Sequence, residues 1–508
     1  MKNIAVLNAI GVSGHAFEAL IGGKNSFQIC CDYARSLPQV DEIAILTEEG
    51  LSEEVLSEGT LSRENLFREA GHRLVTGSGW TERKLLEALR DLACGYDNIF
   101  YFHADCPFLD TVLTRKMLDI HTRYCADYTN ADGYPYGLAP EILRGEIVEA
   151  LMALAQADSV QRGSVFSVIQ KDINSFDIET EIAPRDQRLL RVSLAADTKR
   201  NLLLLQRIVG EGGQDAPSVA RILEHGGRIL RTLPAYLSVQ IVDGVSDRCV
   251  YDPYVSMYGE EGGKRAEMSA ERFEQLLQQV CGFCEDATVT LAAFGEPALH
   301  TEIAAIVQIA ASHPQLRLII ETSGKGWRES DLAAIERGAA VPLTWIIYLD
   351  ALDKNVYASI RGDGYEEANA FAQRMLAAFP QTYLQAVRMQ ENEEDLEQFY
   401  KTWRAKTEHV IIQKYDSVCG LLPDRRVTDL APLKRFPCWH LKRDLHVRVD
   451  GSVPLCVEDV TGRLALGNIF EQEIGAIWER GEVHYLAHLD EQYPDLCSSC
   501  DEYYTYNF

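Results

Sequence analysis

The chain is organised around two pairs of cysteines, Cys438-WHLKRDLHVRVD-Gly451-SVPL-Cys456 and, further on, Cys497-SS-Cys500. The first pair has the spacing C-x12-G-x4-C, and the second is a short CxxC. Apolar and polar residues alternate around the Asp-Gly step of the first pair, which predicts a β-hairpin that brings Cys438 close to Cys456. Thiolates are soft ligands, and four that converge suit an iron–sulfur cluster or zinc. We therefore predict one metal site formed by these four cysteines.

Two other interpretations of these cysteines remain open. Zinc modules usually hold their ion with two short-spaced pairs, whereas here the second pair alone is short. The four thiols could also be unrelated buried cysteines. The long first spacing departs from the usual zinc pattern, and both alternatives stay open at this point.

The composition limits the classes of protein to which the chain can belong. Its 508 residues are too many for one core, so two or three domains are expected. A net charge of −27 argues against nucleic acid or an anionic membrane surface as a partner. No window is apolar enough for a membrane span, and the first residues are typical of a strand rather than a signal peptide. Thirteen cysteines in such a chain predict a reducing, cytoplasmic location and metal or cluster ligation rather than disulfides.

The C-x12-G-x4-C spacing resembles the SPASM or twitch extension of radical S-adenosylmethionine enzymes, in which C-x(9–15)-G-x4-C supplies ligands to auxiliary [4Fe–4S] clusters. The resemblance implies that Cys438, Cys456, Cys497 and Cys500 bind such a cluster. Full SPASM domains continue with further cysteines after the CxxC, and this sequence does not. We therefore expect one four-cysteine cluster, as in the shorter twitch form. Cys419 is a candidate thiol outside this set.

Residues 1–210 alternate β-rich and helical segments, from NIAVLN at 3–8 to the apolar NIFYF at 98–102. The alternation predicts a parallel sheet in an α/β domain, with ligands beyond the carboxyl ends of the strands. Asp105 follows the NIFYF strand, and a carboxylate at such a strand end typically meets Mg²⁺. This strand end is therefore a candidate metal site.

HADCPFLD at 103–110 resembles the GDCPLID of nucleotide-sugar cytidylyltransferases, in the acylneuraminate and spore-coat polysaccharide group. Two later segments, ADYTNADGYPYGLAPEIL and RVSLAADTKRNLLLLQRI, resemble the ADY…YP-x-G-x-x-x-E and R-L-T-x-D-T-x-x-D-L runs of the same group. The resemblance implies a GT-A-like, Rossmannoid domain that binds a nucleotide through Mg²⁺. It implies that Asp105 and Asp197 are metal or nucleotide ligands and that Glu141 faces a sugar.

The opening loop departs from this group. The group carries R-x-x-S-x-R-L-P-x-K, whose cations neutralise the triphosphate, whereas this chain has NAIGVSGHAFEALIGGK at 8–24. Ser13, His15 and Lys24 remain as polar candidates for nucleotide binding. The loss of two or three charge-assisted phosphate contacts, each worth ~1.5–3 kcal/mol, predicts much weaker nucleotide binding. An inactive domain kept for recognition is therefore as good an interpretation as a nucleotidyltransferase that activates a sugar with CTP.

A Gly- and acid-rich linker is predicted at 211–217, and six βα units follow between residues 235 and 413. They predict an open or partial (β/α)6 barrel with its site at the carboxyl ends of the strands. Three strand ends resemble the GGEP, E-T-N-G and S-L-D-A segments of radical S-adenosylmethionine enzymes: FGEP at 294–297, ETSG at 321–324 and LDA at 349–351. This resemblance implies that Glu296, together with the backbone at Gly295, contacts S-adenosylmethionine.

The loop that would generate radicals is incomplete. Radical enzymes carry C-x3-C-x2-C after the first strand, where three thiolates hold a [4Fe–4S] cluster. The corresponding stretch here is VSDRCVYD at 245–252, in which Cys249 alone remains, and aspartate is a hard, poor substitute for a thiolate. We predict no radical-generating cluster and no reductive cleavage of S-adenosylmethionine. The CxxC of Cys281 and Cys284 is predicted to be a pair of semi-buried cysteines rather than a ligand pair.

The three predicted parts, 1–210, 218–415 and 416–508, together resemble the spiro-SPASM family, with a cytidylyltransferase-like domain, a radical S-adenosylmethionine-like barrel and a truncated SPASM tail. Our leading hypothesis is an iron–sulfur protein with one auxiliary [4Fe–4S] cluster that acts in peptide or glycan modification. The resemblances imply S-adenosylmethionine, and Mg²⁺ with a nucleotide, as further ligands. The rival hypotheses are a CTP-dependent nucleotidyltransferase and an unorthodox radical enzyme that uses Cys249 and Asp252.

Overall fold

The computed structural model describes residues 1–49, 72–259, 263–292, 294–338 and 343–506. These residues form two compact units, Met1–Thr232 and Leu233–Phe508. Among the helices described, none has both the length and the apolar character needed to cross a membrane.

The first unit contains nine described strands and seven described α-helices. The strands are β1 (Asn3–Asn8), β2 (Ala19–Ile21), β3 (Lys24–Asn25), β4 (Val40–Glu48), β5 (Arg73–Gly77), β6 (Asn98–His103), β7 (Tyr128–Asp132), β8 (Glu141–Arg144) and β9 (Ile178–Ile182). The helices are Ser26–Ser36, Glu82–Ala93, Thr111–Tyr124, Val148–Leu154, Ser164–Gln170, Lys199–Gly210 and Ala216–His225.

Seven of these strands form one sheet in the order β5-β4-β1-β6-β8-β7-β9. Every residue of β1 is buried, as expected for a central strand covered on both faces. Strand β1 pairs in parallel with β4 and with β6, whereas β8 runs antiparallel to β6 and β7. The predicted α/β class with a parallel sheet is confirmed, and β8 is an antiparallel strand within it.

The second unit contains eleven described strands and eleven described α-helices. The strands are β10 (Tyr236–Val239), β11 (Val242–Val245), β12 (Gly263–Glu267), β13 (Ala287–Leu291), β14 (Leu316–Thr322), β15 (Leu343–Tyr348), β16 (Thr382–Arg388), β17 (Val410–Lys414), β18 (Asp444–Val447), β19 (Ser452–Pro454) and β20 (Ala465–Asn468). The helices are Tyr254–Tyr258, Ala270–Cys284, Ile303–Ala311, Glu329–Gly338, Lys354–Arg361, Tyr365–Ala378, Glu393–Arg404, Trp439–Arg443, Ile474–Arg480, Glu482–Leu489 and Asp495–Ser498.

Seven strands of the second unit form a sheet in the order β17-β16-β15-β14-β13-β10-β18. Six of them follow the chain order and pair in parallel, which confirms the predicted series of βα units. The seventh, β18, comes from the cysteine-rich tail and pairs in parallel with β10. The tail therefore shares a sheet with the barrel-like part, and the three-part division at 210, 218 and 416 stays a prediction.

The hairpin predicted around the Asp-Gly step is only partly formed. A tight turn is present, since the Arg448 N–H donates to the Ser452 carbonyl at 2.9 Å and Gly451 has φ 85°, which favours glycine. The two arms do not pair further: β18 pairs with β10, and β19 pairs with β20. The turn nevertheless reverses the chain between Cys438 and Cys456, which is what the predicted metal site requires.

Candidate functional site

Five cysteines line one small, largely apolar cavity in the second unit: Cys419, Cys438, Cys456, Cys497 and Cys500. Four of them are the predicted metal ligands. Cys438 precedes the helix Trp439–Arg443, and Cys456 follows β19. Cys497 lies in the short helix Asp495–Ser498, and Cys500 follows this helix. The structure thus brings together thiols that lie up to 81 positions apart in the sequence, from 419 to 500.

The fifth thiol, Cys419, enters this cavity from a strained loop. Val418 and Cys419 have φ values of 51° and 54°, and a β-branched residue such as valine rarely adopts this left-handed region. The Ser499 hydroxyl donates to the Cys419 carbonyl at 3.2 Å, and the Cys419 thiol shares a hydrogen bond with Cys500. The sequence gives no spacing signal for Cys419, because the CxxC to which it packs lies in a distant segment.

The sulfur atoms of the five cysteines do not form a close set of three among the described residues. With Zn–S bonds of 2.3 Å, tetrahedral geometry would place the sulfur atoms about 3.8 Å apart. Asp416, Asp501 and Glu502 have ligand atoms that all lie within 4.8 Å of one another. In the part of the chain that the structure describes, the cysteines form no such group of three.

Burial also shifts the pKa values of these thiols. Burial and the mutual repulsion of the sulfurs raise the pKa of the Cys438 and Cys456 thiols, and burial raises the pKa of Cys497 to about 11. A hydrogen bond from Cys419 lowers the pKa of Cys500. Buried thiolates are stable when a metal neutralises them, so this soft, enclosed donor set fits an iron–sulfur cluster.

A cavity of about 610 Å³ opens at the carboxyl ends of the parallel strands in the second unit. Gly295 and Glu296, the predicted contacts to S-adenosylmethionine, both line it. Gly295 has a packing reason for being glycine, since a Cβ there would collide with the Val242 carbonyl oxygen. The close approach is the β-bridge between Gly244 and Gly295. This glycine is therefore explained by the fold, whatever binds beside it.

The carboxylate of Glu296 is fully engaged within the protein. Its Oε1 accepts from the Thr322 hydroxyl at 2.6 Å and from the Ala298 N–H at 3.2 Å. Its Oε2 accepts from the Ser323 N–H at 2.8 Å and from the Ser323 hydroxyl at 2.7 Å. Burial raises the pKa of Glu296. The side chain thus ties together the ends of β13 and β14, and its role as a ligand contact stays a prediction.

The incomplete cluster loop is held by a buried ion-pair network. Asp247, from this loop, lies 3.1 Å from Arg361 Nη1 and 3.3 Å from Lys325 Nζ. Arg361 Nε also donates to Asp350 Oδ2 at 2.5 Å, and Tyr251 donates to the same oxygen at 2.8 Å. All five side chains are at least half-buried, so a guanidinium occupies the interior beside the loop.

Cys249, Cys281 and Cys284 belong to no group of three close ligand atoms among the described residues. Cys249 is buried, and burial raises the pKa of its thiol. Cys284 is buried in the hydrophobic core, and the Cys281 sulfur lies 3.5 Å from His313 Nδ1. These positions agree with the expectation of semi-buried cysteines at the end of the helix Ala270–Cys284.

Carboxyl groups are numerous in the wall of the large cavity. Among the described residues, eight carboxylates and two permanently cationic side chains line it. The cationic side chains are Arg361 and Lys414, and the carboxylates are Asp247, Asp252, Glu296, Glu321, Asp416, Asp444, Glu458 and Glu502. Burial raises the pKa of five of these carboxyl groups, so their number alone does not give the charge of the wall.

In the first unit, the predicted ligands Asp105 and Asp197 do converge, but they converge on an arginine. Arg162 Nη1 donates to Asp105 Oδ1 at 3.1 Å, and its Nη2 contacts Asp105 Oδ2 and lies 3.2 Å from Asp197 Oδ2. Arg162 also donates to the Tyr136 hydroxyl at 3.2 Å. The guanidinium thus stands between the two carboxylates where a divalent cation was expected.

The other predicted residues of the first unit are placed as follows. Lys24 lies on β3, where its largely exposed ammonium group contacts Asp32 at 2.6 Å. Ser13 caps a short 3₁₀ helix by accepting from the His15 N–H at 3.3 Å. Glu141 accepts from the Tyr128 hydroxyl at 3.0 Å, and burial raises the pKa of Glu141 to about 7. Each polar candidate has a partner within the protein, and the nucleotide-binding role of this unit stays a prediction.

Comparison with known proteins adds three findings. Residues 438–501 match the family model of SPASM, an iron–sulfur cluster-binding domain. Among solved structures, SuiB of Streptococcus suis bound to the precursor peptide SuiA is similar at 13% identity and a TM-score of 0.43, covering 66% of this chain and 78% of that chain. A cytidylyltransferase from Leptospira borgpetersenii is similar at 15% identity and a TM-score of 0.36, covering 45% of this chain and 96% of that chain.

A further comparison concerns a relative in sequence. An uncharacterised protein of Treponema pallidum (strain Nichols) is 40% identical over 358 residues, which cover 68% of this chain and 98% of the relative. The chain therefore belongs to the same protein family as this uncharacterised Treponema pallidum protein, and it carries a SPASM iron–sulfur cluster-binding domain at residues 438–501.

Proposed function

We propose that this protein is an iron–sulfur protein of the radical S-adenosylmethionine/SPASM group that holds one auxiliary [4Fe–4S] cluster in its tail. The observation that carries the proposal is the convergence of Cys438, Cys456, Cys497 and Cys500 on one enclosed cavity. When bound, an auxiliary cluster supplies one-electron transfer or a rigid structural link between its ligands.

The barrel-like part of the second unit is proposed to bind a ligand rather than to generate radicals. Three thiolates would be needed in the loop at 245–252, and Cys249 is the one cysteine there. Arg361 occupies the adjacent interior and binds the loop through Asp247. Reductive cleavage of S-adenosylmethionine is therefore not part of the proposed function.

The ligand class implied by the family resemblance is a peptide or a glycan that is modified by a partner or by this protein itself. The cavity of about 610 Å³ is large enough for a substantial part of such a ligand. The alternative function, CTP-dependent activation of a sugar by the first unit, is disfavoured because Arg162 already neutralises Asp105 and Asp197.

The proposed cluster is tested by removing one ligand. We expect Cys456→Ala to lose most of the visible absorbance and iron that the wild-type protein shows after anaerobic purification. Cys438, Cys497 and Cys500 would remain of the four predicted ligands, so one iron would lose its predicted thiolate. Cys94→Ala is the matched control because Cys94 is exposed and lies in the first unit. Equal iron contents in wild type and Cys456→Ala would contradict the proposal.

The fifth thiol leads to a separate prediction. We expect Cys500→Ala to retain iron, because Cys419 lies in hydrogen-bond contact with Cys500 and can take its place as a ligand. The double variant Cys419→Ala/Cys500→Ala is expected to lose the iron. Cys438→Ala is the matched single variant, since the Cys438 sulfur is hydrogen-bonded by backbone groups instead, and it is expected to lose iron outright. Iron content and visible absorbance of the four proteins check this, and equal losses in Cys500→Ala and the double variant would refute it.

A further inference from the structure

A chain of hydrogen bonds joins a thiol, an imidazole and a carboxylate among the helices of the second unit. The Cys281 sulfur lies 3.5 Å from His313 Nδ1, and His313 Nε2 lies 3.2 Å from Glu274 Oε1. Glu274 and Cys281 lie about two turns apart on the helix Ala270–Cys284, and His313 follows the helix Ile303–Ala311. None of the three lines the large cavity or the cysteine cavity, so they form a separate cluster.

The cluster is arranged as a relay rather than as a metal site. Its three ligand atoms belong to no close group of three among the described residues. The Glu274 carboxylate, which also accepts from Gln278 Nε2 at 2.9 Å, accepts from the Nε2–H of His313. With that proton on Nε2, the Nδ1 lone pair of His313 faces the thiol and can take its proton. A thiol, a base and a group that orients the base are the parts of an activated nucleophile.

The base is held in place, and the thiol can be reached from solvent. The His313 N–H donates to the Ala310 carbonyl at 3.1 Å, which fixes the backbone that carries the imidazole. Cys281 is partly exposed, and the residues on both sides of His313 in the sequence are exposed. A side chain on Gly282, next to Cys281, would extend into open space. A small molecule can therefore approach the Cys281 sulfur.

The surroundings of the thiol indicate which reaction it can undergo. Burial raises the pKa of the Cys281 thiol, and a hydrogen bond with the Gln315 side chain opposes this rise. Cys281 lies in the last turn of its helix, where the helix presents carbonyl oxygens rather than free N–H groups. The helix end thus offers no donor to the oxyanion of an acyl transfer. Exchange with a disulfide needs only the thiol, a base and access.

We propose that Cys281 is a nucleophilic thiol that exchanges with small organic disulfides, with His313 as its base and Glu274 as the residue that positions His313. The Cys281 sulfur attacks one sulfur of the disulfide, and its proton passes to His313 Nδ1. The S–S bond of the disulfide breaks, a new S–S bond forms at Cys281, and the released thiolate takes the proton from His313. Cys281 is oxidised and the leaving sulfur is reduced, so one mixed disulfide and one free thiol result. The inference requires neither the cluster nor a ligand in the large cavity.

The test follows the loss of free thiol at single cysteines of the full-length protein. Hydroxyethyl disulfide, a small uncharged probe, is added at neutral pH to anaerobically purified protein. Samples are alkylated at intervals, and each cysteine-containing peptide is quantified by mass spectrometry. Cys94 and Cys125, which are both exposed, are internal references. We expect Cys281 to react faster than either reference, although it is less exposed than they are.

Variants separate the base from the mere presence of a neighbour. His313→Asn keeps a hydrogen-bond acceptor but removes the base, and we expect the rate at Cys281 to fall by about tenfold or more. Glu274→Ala is expected to lower this rate, and Glu274→Gln, which can still accept from Nε2–H, is expected to lower it less. Glu271→Ala is the matched control, because Glu271 is exposed on the same helix. The rates at Cys94 and Cys125 are expected to stay unchanged in every variant.

Two results would overturn the inference. One is a wild-type rate at Cys281 that does not exceed the rate at Cys94, and this comparison stands even if a variant fails to fold. The other is a rate at Cys281 that His313→Asn leaves unchanged. Local loosening of the structure cannot imitate the expected result, because it would expose the thiol and raise the rate rather than lower it.

Discussion

Replacing Arg361 by alanine is expected to lower the free energy of unfolding of the second unit by about 3–5 kcal/mol, the usual cost of removing one partner from a buried ion pair. Arg361 is 5% exposed and contacts both Asp247 and Asp350, of which Asp350 is 0% exposed. Without the guanidinium, Lys325 alone would remain to compensate these two carboxylates. The loop at 245–252 would lose its main attachment to the interior.

Tryptophan fluorescence during urea unfolding measures this change. Five of the six tryptophans lie in the second unit, so the signal reports mainly on its unfolding. Arg374→Ala is the matched control, because Arg374 pairs with Glu329 and Glu336 at the surface, where such pairs contribute about 1 kcal/mol or less. Similar losses for Arg361→Ala and Arg374→Ala would show that the network does not hold the loop.

Replacing Arg162 by alanine is expected to create a divalent-cation site in the first unit that the wild-type protein lacks. Asp105 is 3% exposed and converges with Asp197 on the Arg162 guanidinium. Removal of the guanidinium leaves two carboxylates in a confined space, which Mn²⁺ or Mg²⁺ can neutralise. We expect Mn²⁺ affinity to rise by at least about tenfold, or about 1.4 kcal/mol, relative to wild type.

Electron paramagnetic resonance of free Mn²⁺ during titration gives this affinity directly. Arg188→Ala is the matched control, since Arg188 pairs with Asp132 and Asp186 in an exposed position. Adding Asp105→Asn to Arg162→Ala is expected to abolish the new site. Mn²⁺ binding by the wild-type protein that depends on Asp105 would contradict the role of Arg162 and restore the nucleotidyltransferase hypothesis.

The elements of both sheets could be predicted because their signals are local. The apolar run of β1 and the alternation of strands with helices between 287 and 414 depend on neighbouring residues, and the structure has them close to where they were expected. The antiparallel direction of β8 and the pairing of β18 with β10 could not be predicted in this way. Both depend on which strand, far away in the sequence, has an edge that is still unpaired.

The candidate sites show the same limit more sharply. The four tail cysteines carry their own spacing signal, and the structure places them around one cavity. Arg162 carries none: it lies in SVQRGS, 57 positions from Asp105, and its function follows from the fold alone. Asp247 and Arg361 are 114 positions apart. The sequence therefore shows that the loop at 245–252 lacks cysteines, but it does not show that Asp247 of this loop pairs with Arg361. Charge partners that replace a metal ion are thus the features that sequence patterns miss.

The central claim is that the sulfur atoms of the tail hold an iron–sulfur cluster. The most direct test is the content of iron, acid-labile sulfide and zinc per chain in anaerobically purified, full-length protein, with its Mössbauer spectrum. Four sulfur ligands around one [4Fe–4S] cluster predict about four iron and four sulfide per chain, with a single cubane signal. Colourless protein with about one zinc per chain and no acid-labile sulfide would contradict it.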